Sequence, residues 1–137
     1  MDIKLILFAF VLLSTGCIAS DQIERTEFQL FQDYALLACI ANGYKNGDIY
    51  SDSVSALNGY RARSRMPLEA HSGVQAVIEK WLAKSYKTKS GSTTEIAACL
   101  DLIKSEDLDA LYTQYTPCND ASSWRDKKEY SVRCKNG

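Results

Sequence analysis

Cys39 and Cys99 each fall inside a stretch with helical apolar spacing, while Cys118 and Cys134 bracket a polar, charged stretch with little to bury. The fifth cysteine, Cys17, stands in an export-type amino terminus, so its removal or modification leaves four that can pair completely. Four cysteines allow three connectivities. The favoured one joins Cys39 to Cys99 through two apolar stripes and Cys118 to Cys134 within a tail that cannot order itself by burial. On chain entropy these loops stabilise by about 4 and about 3 kcal/mol.

The amino terminus reads as a secretory signal over residues 1–19: Lys4, an apolar run from Leu5 to Leu13, then the small residues of "STGCIAS". The run is too short to span a bilayer and is apolar on every side, unlike an amphipathic core helix. Two processing sites compete. Cleavage after Ala19 gives a soluble product and is favoured; acylation of Cys17 would give a lipid anchor, but Ser14 stands where a lipobox has leucine. The expected compartment is the periplasm, where disulfides form.

A net charge of −1 with both signs interspersed leaves no footprint for nucleic acid and no polybasic membrane patch. Hydrophobic residues make up 46% of the chain, enough for a small core. Helical spacing recurs throughout. "TEFQ" is a capping box ahead of a first helix whose two apolar faces, one with Phe31, Ala35 and Cys39 and one with Leu30, Tyr34 and Ala41, place it centrally. A weaker helix is expected over 52–63, and "RARSR" reads as a solvated connector. Pro67 opens a third helix carrying Ala70, Val74, Ile78 and Trp81 inward. Ser92 and Glu95 suggest a capping box, with Ile96, Cys99, Leu100 and Ile103 inward, and Ser105 caps a last helix bearing Leu108 and Leu111. The expectation is all-α: a compact bundle of about five helices over 20–115 with disulfides, and an extended tail over 116–137 closed by its own bridge.

No residues converge on catalysis or metal binding. His71 is the single histidine and reads as a surface residue without HExxH, CxxC or GxSxG context. Asp101, Glu106, Asp107 and Asp109 cluster where one helix ends and the next begins, so they complement a helix amino terminus instead of forming an acid/base pair. The run Lys87, Thr88, Lys89, Ser90, Gly91, Ser92 lacks the lysine and preceding strand of a phosphate loop; on pattern alone it is a connector.

"DYALLACIANGYKNG", "MPLEA", "VIEKWLAKSYK" and "CLDLIKSEDLDALYTQY", in that order, resemble the type VI secretion system amidase immunity protein family. The resemblance runs from about Phe31 to Tyr115. It implies a periplasmic helical homodimer, without cofactor or catalysis, that binds a peptidoglycan amidase effector. In that family the toxin is a cysteine amidase acting on the D-glutamyl to diaminopimelate bond, and a loop between late helices enters its cleft; by position that loop is Lys87 to Ser92. The cysteine-paired tail extends beyond the pattern. The rival readings are another envelope inhibitor or adaptor and a small envelope enzyme.

Overall fold

The computed structural model describes residues 24–135; the expected signal over 1–19 and Cys17 lie outside them. Six helices follow in order: α1 (Glu27–Gly43), α2 (Asp48–Arg63), α3 (Leu68–Leu82), α4 (Glu95–Leu102), α5 (Glu106–Tyr115) and α6 (Lys127–Arg133). Two 3-10 turns, Pro117–Asn119 and Ala121–Ser123, lead into α6. No strand occurs among the described residues, only an isolated antiparallel bridge between Lys87 and Thr93.

Helix α1 sits in the middle because it has no side to give to water. Its capping box forms as the sequence predicts: Gln29 N donates to Thr26 Oγ1 at 3.2 Å, and Thr26 N to Gln29 Oε1 at 3.0 Å. Leu30, Phe31, Ala35 and Cys39 are fully buried, and α2, α3, α4 and α5 all pack on this helix. The core joins Phe31, Val74, Ile78, Leu102 and Leu108 from four helices. Both disulfides form as favoured. Cys39 and Cys99 join α1 to α4 with Cα atoms 5.6 Å apart; Cys118 and Cys134 close the tail at 5.4 Å.

Four local expectations need correction. Helix α2 begins at Asp48, a turn earlier than its pattern suggests. Helix α4 has Thr94 as its N-cap with no side-chain cap bond, so the Ser92–Glu95 box does not form. Its buried face carries Ala98, Cys99 and Leu102, while Ile96 and Leu100 are exposed. The disulfide to α1 points Cys99 inward, and Ala98 and Leu102, one and three positions away, share that side of the helix. "RARSR" is exposed at four of its five residues, as expected, but it is not a plain connector: its first three residues end α2, and the tail docks on Arg65. Arg65 stacks over Trp124 at 4.2 Å and pairs with Glu129, and Trp124 is buried with its Nε1 donating to the Pro117 carbonyl at 3.0 Å.

The tail also completes the start of α1. The Glu27 side chain is wholly buried, and its carboxylate accepts from Ser64 Oγ at 3.0 Å, Arg65 N at 2.9 Å and Arg133 Nε at 2.8 Å. Arg133 Nη2 reaches both Glu27 and the Arg63 carbonyl. One carboxylate thus ties together α1, the α2–α3 connector and α6.

Two glycines should respond oppositely to alanine. At Gly43 a Cβ would lie 2.9 Å from the Cβ of Glu95, so α4 must shift; at Gly59 nothing lies within 4 Å. Gly43→Ala should destabilise by about 1–3 kcal/mol, and Gly59→Ala, inside α2, should stabilise by about 0.5–1 kcal/mol. Chemical denaturation of the three proteins side by side checks both signs.

Candidate functional site

Between α3 and α4 the chain leaves the bundle and returns in a tight hairpin. Thr94 N donates to the Tyr86 carbonyl at 3.1 Å, Lys87 bridges Thr93, and Thr88 N donates to the Ser92 carbonyl at 2.8 Å. The reversal closes where Gly91 N donates to the Thr88 carbonyl at 2.9 Å. Lys89 and Ser90 occupy the turn, and Gly91 follows in the left-handed region at φ +87°, which glycine adopts without steric cost. This is a three-residue hairpin with a bulge at the glycine. Side chains brace it further: the hydroxyls of Thr88, Ser90 and Ser92 form a triangle with edges of 2.8, 3.1 and 3.0 Å. Every residue from Lys87 to Thr93 is exposed.

The structure therefore brings the six sequence-selected residues, Lys87 to Ser92, into one projecting tip. Their order there comes from hydrogen bonds, not burial. The neck is fastened on both sides. Tyr86 Oη donates to Asp101 of α4 at 2.8 Å, a bond that raises the phenol's pKa by favouring its protonated form. Helix α4 is held in turn to α1 by the buried Cys39–Cys99 bridge. Beside the neck lies an open groove of about 610 Å³ whose lining includes Lys80, Lys84, Lys104 and Trp81.

Asp107 contributes at that groove more than a helix-end charge. It accepts from Lys80 Nζ at 2.8 Å and from Trp81 Nε1 at 3.0 Å, joining α5 to α3. The Lys80 bond, then the Trp81 bond, holds its carboxyl below the usual range. The side chains of Asp101 and Asp107 are thus committed to bonds that orient elements. Among the described residues no group of three or more potential metal ligands gathers.

His71 departs from its expected surface position. Only 6% of it is exposed, its ring meets the Tyr34 ring edge-on at 4.5 Å, and Nδ1 donates to the Pro67 carbonyl at 3.0 Å. Nε2 is buried without a hydrogen-bond partner among the described residues. Sequence spacing does contain the signal, since His71 lies one and three positions from the buried Ala70 and Val74. Glu27 was also missed, and no sequence pattern marks a first-turn glutamate as buried.

These observations define a helical scaffold with a preformed, exposed hairpin tip. A family model described as type VI secretion system amidase immunity protein matches residues 29–112. The chain belongs to this family, Tai4. Two solved structures share its fold. A chain of the Tae4/Tai4 effector–immunity system from Salmonella typhimurium is 20% identical, with a TM-score of 0.62 over 66% of this chain and 90% of its own length. A chain of the Tae4–Tai4 effector–immunity complex from Enterobacter cloacae is 17% identical, with a TM-score of 0.59 over 63% and 88%. Among curated proteins none matches the chain.

Burial lowers the His71 pKa below its ordinary value, because the apolar surroundings disfavour the imidazolium. The unfolded chain therefore binds the proton first as pH falls. Stability should be complete above about pH 6.5 and should decline as pH drops through the lower folded-state value. His71→Phe should flatten that decline between about pH 7 and pH 5, measured by denaturant unfolding; the chain has no other histidine to confuse the reading.

Proposed function

We propose that the protein neutralises a peptidoglycan amidase effector in the periplasm by seating the tip Lys87–Ser92 in the effector's active-site cleft. Membership of the amidase immunity family, over residues 29–112, is the observation that carries this reading. The tip supports the blocking mechanism physically. A hairpin already closed by backbone bonds and a hydroxyl triangle loses little conformational freedom on entering a cleft, so more of its contact energy appears as affinity. Thr88, Ser90, Gly91 and Ser92 are small and keep it narrow. Lys87 and Lys89 are placed to steer the encounter electrostatically.

The same reading makes the inhibitor an exported, non-catalytic homodimer. Sedimentation of the exported protein tests the dimer, and intact mass distinguishes cleavage after Ala19 from acylation at Cys17. Co-expression with its cognate peptidoglycan amidase effector, directed to the periplasm, should prevent lysis. A form lacking residues 1–19 should give no protection.

At the tip, Gly91→Trp should raise the dissociation constant at least about tenfold, an effect of about 1.4 kcal/mol or more. A side chain there meets nothing within 4 Å, but φ +87° is strained for any L-residue. The exposed tip can relax without disturbing the helices, so the melting midpoint should be unchanged. Lys87→Glu with Lys89→Glu should act mainly on the association rate, and the glycine change mainly on dissociation. Full inhibition by a folded Gly91→Trp protein would falsify the role of the tip.

A further inference from the structure

The two disulfides differ in what protects them. Cys39 and Cys99 are fully buried in the core, whereas Cys118 and Cys134 are only half-buried in the tail, beyond the residues shared with the family model. The residue before Cys134 is Arg133, the cation that faces the wholly buried carboxylate of Glu27. Helix α6 has only seven residues, and it is held by Cys118–Cys134, by the Tyr130 hydroxyl on the Cys118 carbonyl at 3.2 Å, and by the Arg65 contacts to Trp124 and Glu129. A helix this short does not persist on its own propensity.

We propose that the tail is a redox-operated latch, in which the Cys118–Cys134 disulfide holds Arg133 on buried Glu27 and reduction of that bridge by a dithiol withdraws the cation. A dithiol thiolate attacks one sulfur, forming a mixed disulfide and releasing the other tail cysteine as thiolate. The reductant's second thiol then resolves the mixed disulfide. In balance, two electrons and two protons pass from the dithiol, which becomes a disulfide, to the protein, which gains two thiols. Reduction releases the 16-residue closure and frees α6 to leave. Glu27 is then left without its cation, so the start of α1 must open to water. The Ser64 hydroxyl and the Arg65 amide remain as neutral donors, which cannot replace the charge. The core bridge keeps α1 joined to α4 meanwhile, so the latch opens one end of the molecule and leaves the hairpin support intact.

The exported full chain can be treated with graded dithiothreitol under native conditions, alkylated, mapped by mass spectrometry and followed by thermal melting and amide hydrogen exchange. Cys118 and Cys134 should become alkylated before Cys39 and Cys99. At that stage the melting midpoint should fall by on the order of 10 °C, and exchange at the Leu30 amide, which bonds the Thr26 carbonyl at 3.0 Å, should quicken. In Glu27→Gln with Arg133→Gln, where no charge is left to strand, the same reduction should produce a smaller fall. Alkylation of the core pair first, or an unchanged midpoint and unchanged Leu30 exchange with the tail thiols alkylated, would overturn the latch. So would an equal fall in the parent and the double variant. The parent measurements stand even if that variant does not fold.

Discussion

A carboxylate taken wholly out of water, that of Glu27, dictates what must surround the start of α1. Removing such a charge from solvent costs several kcal/mol, and a partner plus hydrogen bonds must offset it. Here the offset comes from two separate parts of the chain: Ser64 and the Arg65 amide on the connector, and the Arg133 guanidinium on α6. The connector cannot swing free and the tail cannot detach without stranding that charge. The stacking of Arg65 on Trp124 and its pairing with Glu129 follow from the same convergence.

At the other end of α1 the constraint is covalent. The helix is apolar on two faces, so neighbours must cover it from several directions, and the Cys39–Cys99 bond fixes which face of α4 does so. That choice turns Ile96 and Leu100 outward and sets where the hairpin leaves the bundle. A projecting tip is useful for binding only if its base is rigid, since looseness at the neck would be lost as entropy on association. The Tyr86–Asp101 bond and the Asp107 contacts to Lys80 and Trp81 stiffen that base. Asp101 and Asp107, which first suggest acid–base chemistry, act instead as fasteners of the hairpin's base.

Much of this was legible in the residues alone. Helical spacing, a capping box at Thr26, an N-cap at Ser105 and the cysteine pattern pointed to an all-α bundle with the observed pairing, because each depends on neighbours within a turn or two or on a general need to bury apolar stripes. Family membership was readable too, in ordered motifs from Phe31 to Tyr115. The tip residues were selected by their likeness in position, and their small polar composition already spoke against burial.

What the sequence determined by itself, then, was the local helical content, the apolar stripes and the pairing of four cysteines. Only the tertiary structure decided that Glu27 and His71 are buried, that "RARSR" receives the tail, and that the polar run from Lys87 is a closed hairpin and not a slack connector. The physical reason is range. Spacing reports what one helix would bury, but Glu27 and Arg133 lie 106 residues apart, and neither charge carries a local mark of the other.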